Sequence, residues 1–352
     1  MIDQATNVRP GEQLDGQAVS DWLRTNGVEL VGEPEITQFS GGASNWTYRL
    51  KYAYRDLILR RPPNGTKAKS AHDMVREYRI QHALKSVYPT VPTMVAACKD
   101  HAVLGCDFYV MERLEGIIPR ANLPRDVKLD ATQVRKLCTN VLDELIALHK
   151  ADYQSKPDLV ALYKGPGFCQ RQVEGWDQRY EKVITWNVPS FRKVRRWLKA
   201  NCPADSTACL IHNDWRFDNV VLDPHDPTKV IGVLDWELST VDDPLIDLGS
   251  MLAYWIQPDD NFVMRSMRRQ PTHLPGMMTR EEVVHYYLDK TGLSGAHWTF
   301  YEVFGVFRLA GIAQQIYYRY HHGQTDNSAF KNFWIVAHAL HRRCLQLMRK
   351  AR

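Results

Sequence analysis

The hydrophobic pattern changes period partway along the chain, and this limits the possible folds more than any other feature. Between residues 35 and 114, apolar and polar residues alternate in short runs: EITQFSGG, NWTYRLKY, DLILRRPPNG, VPTMVAAC and DFYVMERL. A period of two, broken by turn residues, predicts half-buried strands of a twisted antiparallel sheet, with Pro62-Pro63 closing the third strand. Two stretches here have helical spacing instead. GQAVSDWLRTN at 16–26 puts Val19, Trp22 and Leu23 on one face, and residues 70–86 carry Met74, Ile80 and Leu84. LEGIIPRA at 114–121 reads as a connector. Past it, Val134, Leu137, Val141, Leu145 and Leu148 mark a strong helix over 130–150, strand-like CLIHND and KVIGVLDW follow, and helical patterns fill most of 243–350. The expected fold class is α+β with two lobes: a small sheet lobe over 1–113, and a larger, mostly helical lobe over 114–352. The crevice between them is the natural place for a small ligand.

Composition narrows the function without choosing it. At 44% hydrophobic and 24% charged over 352 residues, the chain can build a real core. Lys and Arg number 45 against 40 acids, a surplus of +5 that is too small to argue for nucleic acid and leans only weakly toward anionic ligands. The seven cysteines include no CxxC and no zinc spacing, so reduced, mostly buried thiols are expected. The start, MIDQATNVRPGEQ, lacks the marks of a signal peptide, and the apolar run FGVFRLAGIA is interrupted by Arg308. A cytoplasmic enzyme with neither nucleic acid nor membrane as partner is the expectation.

The chemistry concentrates in two segments. His212-Asn213-Asp214 is followed by Asn219, and sixteen residues later Val233-Leu234-Asp235-Trp236-Glu237 ends a strand. Phosphoryl transfer calls for such a set: one carboxylate to orient and deprotonate a hydroxyl, and an amide plus a second carboxylate for magnesium. Any one of these acids alone would be a surface or loop-capping group; their joint spacing is what points to function.

With Asp243-Pro244-x2-Asp247-Leu248, these residues closely resemble the aminoglycoside phosphotransferase family of the protein-kinase-like fold, which also groups with choline and homoserine kinases. The resemblance extends over nearly the whole chain. The run from Phe300-Tyr301-Glu302-Val303-Phe304 to Ile316-Tyr317-Tyr318-Arg319 looks like the branch related to kinase domains fused to acyl-CoA dehydrogenases. It implies Asp214 as catalytic base, Asn219 and Asp235 as magnesium ligands, and ATP as phosphate donor. His212 is expected to brace the loop and Asp247 to act as a structural hydrogen-bonding group. Asn213 stands where the family commonly has Gly and tolerates left-handed backbone. Trp236-Glu237 replaces the Phe-Gly of protein kinases.

On the nucleotide side, Phe39-Ser40-Gly41-Gly42-Ala43-Ser44-Asn45 joins two strands. Its small residues let backbone amides approach phosphate, with side-chain donors from Ser44 or Asn45. By itself it is a weak signal, and a plain hairpin would read the same way. Arg60 or Arg61 takes the place of the usual phosphate-binding lysine; alternation sends the two to opposite faces, so only one can serve, and Arg60 is preferred. The resemblance supplies Glu77 as its partner. Glu112 and Leu114, at the end of the fifth strand, would meet the adenine edge through main-chain atoms.

The acceptor should bind against the helices past residue 245. Arg265, Arg268, Arg269 and Arg280 read either as a solvated basic loop or as a rim for an anionic acceptor. Tyr254, Trp255, Tyr317, Tyr318, His321 and His322 fall at helical spacing, mainly as core. The expected activity is ATP-dependent phosphorylation of an alcohol group on a small anionic or neutral metabolite, with a hydroxyacyl-CoA-like acceptor among the options. The alternatives are a catalytically weak nucleotide-binding regulatory module and an aminoglycoside kinase. A protein kinase is disfavoured because no APE-like segment follows Asp235.

Overall fold

The computed structural model describes residues 3–39, 45–63 and 73–350. A first helix, α1 (Gly16–Thr25), is capped by Asp15, whose carboxylate accepts from the Ala18 amide. Strands β1 (Glu35–Gln38), β2 (Trp46–Lys51) and β3 (Asp56–Arg61) follow, then α2 (Met74–Leu84), β4 (Met94–Cys98), a single turn α3 (His101–Leu104) and β5 (Phe108–Glu112). The strands form one antiparallel sheet in the order β1-β2-β3-β5-β4. Its two faces are covered by different helices. Tyr48, Leu50, Leu57, Leu59, Phe108 and Val110 pack with Val19 and Leu23 of α1, while Ile58, Tyr109 and Met111 pack with Met74 of α2. Alternation along β3 therefore turns Arg60 toward α2 and Arg61 toward the α1 side.

The second part begins with α4 (Ala131–His149), closed at its start by a reciprocal capping box between Asp130 and Gln133. Then come α5 (Pro157–Val160), α6 (Phe168–Lys182), α7 (Arg192–Ala200), and the short strands β6 (Cys209–Ile211), β7 (Val220–Leu222), β8 (Val230–Val233) and β9 (Thr240–Asp242). β6 pairs with β9, and β7 with β8. Helices α8 (Pro244–Ala253), α9 (Phe262–Ser266), α10 (Arg280–Thr291), α11 (Trp298–His321) and α12 (Phe333–Lys350) complete the chain. Helices α8 and α11 cross at a pair of glycines: a Cβ on Gly305 would lie 2.1 Å from the Gly249 carbonyl oxygen, and one on Gly249 2.4 Å from that of Tyr301. This close crossing holds the start of α8 beneath the loop after β6. Among the described residues, no helix is long and apolar enough to cross a membrane.

The periods read from the sequence correspond to these elements. The stretch between the 130–150 helix and CLIHND, to which the sequence pattern assigns no element, holds α6 and α7; a further turn, α3, separates β4 from β5, and β7 and β9, three residues each, are too short to show alternation.

Candidate active site

The loop after β6 is held from below. Asp247, fully buried in the first turn of α8, accepts from the amides of His212 (2.8 Å) and Asn213 (2.9 Å). His149, at the end of α4, approaches the same carboxylate with Nε2 at 3.2 Å, and its Nδ1 lies 2.6 Å from the Tyr287 hydroxyl. Burial pushes the Asp247 carboxyl up, but the His149 bond, the nearby imidazoles and the backbone donor outweigh it and hold the group below the usual range. Asn213 has φ +67°, as its left-handed tolerance anticipated, and its carbonyl accepts from Arg308 at 2.7 Å. His212 accepts from the Asp214 amide at Nδ1 (3.3 Å) and donates from Nε2 to the Leu234 carbonyl (2.9 Å). With both ring nitrogens used in this way, the imidazole braces the loop against the end of β8.

The β7–β8 pairing brings the other groups in. The Leu234 amide donates to the Asn219 carbonyl at 2.8 Å, so Asn219 and Asp235 flank the same end of the ladder. Asp214, Asn219 and Asp235 line one cleft of about 450 Å³, together with Arg60, Arg216, Asp218 and Glu237. The Asn219 side-chain NH2 donates to the Asp214 carbonyl (2.9 Å) and carboxylate (3.3 Å), which leaves its Oδ1 without a protein hydrogen bond among the described residues. Burial, reinforced by the charges of Asp235 and Glu77, pushes the Glu237 carboxyl up to about 7. Among the described residues, no group of three or more His, Cys, Asp and Glu forms a metal cage on its own. Magnesium needs less, because it takes one or two carboxylates and shares substrate phosphates. The free amide oxygen and the crowded carboxylates fit such an ion.

Opposite them, the Arg60 guanidinium bonds the Glu77 carboxylate at 2.5 Å and the Tyr109 hydroxyl at 3.2 Å, and reaches Asp235 at 3.4 Å. Burial works against its charge, but Glu77, Tyr109 and Asp235 hold it well above the usual arginine range. Its buried Nε–H has no partner among the described residues. Arg61 instead lies over the Trp46 ring at 5.4 Å, away from the cleft, so Arg60 is the one of the pair that faces it. Ser40, Gly41, Gly42 and Ser44 lie outside the described residues. Asn45 is described, and its side chain donates to Glu237 at 3.1 Å.

Along the connector, the Glu112 amide is used by the Thr93 carbonyl, and its carboxylate by Arg55. The Leu114 amide has no hydrogen bond among the described residues, and Leu114 lines the cleft. Its side chain packs directly on Gly232, where a Cβ would lie 2.1 Å from Leu114 Cδ1 and would displace it.

On the acceptor side, two of the four arginines that the sequence offered as a solvated loop or an anion-binding rim are tied to the protein itself. Arg280 is spent on Asp260 and the Trp255 carbonyl, and Arg268 on the carbonyls of Ala121 and Gln270 and on Asn122. Besides Arg60 and Arg113, the arginines lining the cleft are Arg120 and Arg216, the latter 3.5 Å from Asp214 and 5.2 Å above the Tyr254 ring. Trp255 is core, and Tyr317 and His321 line a separate surface hollow. Sequence reasoning passed over Glu237, Arg216, Gln270 and Arg308. Gln270 is fully buried and accepts from the Phe217 amide at 2.9 Å, which steadies the same loop. The charge interrupting the apolar run at Arg308 was its one visible signal.

Fold and site together define a protein-kinase-like chain with an acid-and-amide cleft beneath an antiparallel sheet. The chain belongs to the phosphotransferase enzyme family, whose model matches residues 35–283. It is 35% identical over 305 residues to mouse acyl-CoA dehydrogenase family member 10, covering 86% of this chain and 28% of the relative. It is 31% identical over 352 residues to human acyl-CoA dehydrogenase family member 11, covering 97% of this chain and 44% of the relative. The chain thus spans less than half the length of these curated relatives. A Ralstonia eutropha JMP134 protein solved as a candidate aminoglycoside phosphotransferase superposes with a TM-score of 0.80 at 26% identity, over 97% of this chain and 100% of that one. A thermostable aminoglycoside phosphotransferase APH(4)-Ia, in ternary complex with AMP-PNP and hygromycin B, shares the fold with a TM-score of 0.56 at 14% identity, over 94% and 98% of the two chains.

Proposed function

We propose that this chain is an ATP-dependent kinase that phosphorylates a hydroxyl of a small neutral or anionic metabolite. The observation that carries the reading is the convergence of Asp214, Asn219 and Asp235 on one cleft opposite Arg60. Asp214 orients the acceptor hydroxyl and takes its proton late, as the acceptor oxygen bonds the γ-phosphorus and the bond to the β-phosphate breaks. Asn219 and Asp235 would hold magnesium, which when bound would supply positive charge against the phosphates. Arg60, positioned by Glu77, faces the phosphate chain with its unpaired Nε–H. Asn45, bonded to Glu237, adds a side-chain amide on the phosphate side, and the free Leu114 amide meets the adenine edge; Glu112 contributes only its carbonyl there. The AMP-PNP in the APH(4)-Ia complex supports ATP as donor.

The complete acid–amide set favours turnover over a regulatory module. Arg216 beside Asp214, with Arg120 lining the same cleft, suits a neutral or anionic acceptor better than a polycationic aminoglycoside. The test is a radiolabelled-ATP screen over hydroxyacyl-CoAs, sugars, amino alcohols and aminoglycosides. Labelled product from one of the first two classes is expected. Label only on aminoglycosides, or none with any acceptor, overturns the reading.

A further inference from the structure

The charge of the chain is unevenly spread. Between Arg179 and Ala200, seven Lys or Arg residues stand against one acid, Glu181, giving this stretch +6 where the whole chain is +5. Everything outside it is therefore close to neutral. Within α7, Val194 and Leu198 point into the core, so Arg192, Lys193 and Arg196 stand exposed on the outer side. The nearby acids are already taken: Asp177 pairs with Arg195 and Lys199, and Glu181 pairs with Arg195. Arg192, Lys193 and Arg196 have no ion-pair partner among the described residues.

The segment joining α6 to α7 carries Trp186, 88% exposed, more than any other large hydrophobic side chain described. That exposure is built in. Asn187 donates to the Tyr317 hydroxyl at 2.8 Å and its carbonyl meets His338 at 2.9 Å, while Gln314 donates to the Val183 carbonyl at 2.7 Å. Both sides of Trp186 are thus tied to α11 and α12, and Val188 packs on Tyr317 and Ala337. Tyr317 also lines the neighbouring surface hollow with Tyr320, His321, Lys331 and Trp334. The corner combines outward aromatics with unpaired basic residues.

Tryptophan and tyrosine favour the boundary between water and lipid, and lysine and arginine are drawn to anionic headgroups. Single-stranded RNA stacks successive bases on several aromatics along a basic groove, whereas here one aromatic, Trp186, stands 88% exposed beside the basic residues. We propose that this corner docks peripherally on an anionic lipid surface, without crossing it. The corner is set apart from the catalytic loop: Arg308 bonds the Asn213 carbonyl, and Tyr317 lies farther along the same helix, about 14 Å away at the helical rise.

Sedimentation of the full chain with phosphatidylcholine vesicles, with and without roughly a third phosphatidylserine, tests this directly. The anionic vesicles should bind at least about tenfold more tightly, with the difference shrinking as salt rises. R192E/K193E/R196E should lower that binding on the order of a hundredfold, with melting temperature and nucleotide affinity unchanged. Trp186→Ala should lower it severalfold, including at high salt. If the charge reversal unfolds the chain, R192Q/K193Q/R196Q carries the same expectation. No binding, equal binding to neutral vesicles, binding to an RNA homopolymer in place of vesicles, or full binding by the charge variants overturns the proposal.

Discussion

Arg60 on β3 and Asp235 just past β8 lie 3.4 Å apart across the cleft, although the chain separates them widely. The same guanidinium holds Glu77 on α2, so one side chain ties the sheet, the helix and the acid end of the cleft together. Removing it strands a buried carboxylate. Arg60→Met should cost about 3–5 kcal/mol in denaturant unfolding and weaken nucleotide binding by at least about tenfold. Arg60→Lys should keep the Glu77 pair and lose less on both counts. An Arg60→Met protein as stable as the parent would contradict this role.

Glu237 supplies a pH dependence. Its carboxyl sits at about 7 against an ordinary 4.5, so the folded chain keeps this proton to higher pH than the unfolded chain does. A group of this sign lowers stability as pH rises from 4.5 to about 7, and the loss levels off above that. Melting temperature at pH 8 should therefore be higher for Glu237→Gln than for the parent, and similar for both near pH 4. Binding of magnesium and nucleotide should strengthen from pH 6 to pH 8 in the parent, and less so in the variant. Identical pH profiles for the two proteins would refute the assignment.

Much of this was legible in the sequence. The spacing from His212 through Asn219 to Asp235 is local, and a strand–loop–strand unit can deliver it in only a few ways. The choice between Arg60 and Arg61 needed only the knowledge of which sheet face α2 covers. What escaped notice depends on distant packing. Gln270 in a proline-broken stretch and Arg308 in an apolar run acquire their roles only when α11 and the α9–α10 connection fold back on the loop. The arginines near residue 270 read either as a solvated loop or as a rim because the partners of Arg280 and Arg268, Asp260 and the Ala121 carbonyl, are invisible to local pattern.

Asp247 carries two amides of the loop, so its loss should act through geometry. Asp247→Asn can replace only one of its acceptor oxygens, and should cost about 1–3 kcal/mol of stability. Turnover should fall while the KM for nucleotide changes little, a split that a purely global destabilisation would not produce.

Asn213 is held at φ +67° beside the Asp214 amide. Asn213→Gly should be tolerated, with a melting temperature within a few degrees of the parent. Asn213→Val should be destabilised by at least about 1–2 kcal/mol, because a branched residue fits this geometry poorly. A valine variant matching the glycine variant in stability and turnover would show that the loop takes another path.

The most direct measurement compares phosphoryl transfer and nucleotide affinity in Asp214→Ala and Asp235→Ala, using an acceptor that the parent phosphorylates. Asp214→Ala should lower kcat about 10²–10⁴-fold with magnesium–ATP affinity nearly unchanged. Asp235→Ala should weaken that affinity itself. Parent-like transfer by Asp214→Ala, or undiminished magnesium–ATP binding by Asp235→Ala, would contradict the placement of the reaction in this cleft.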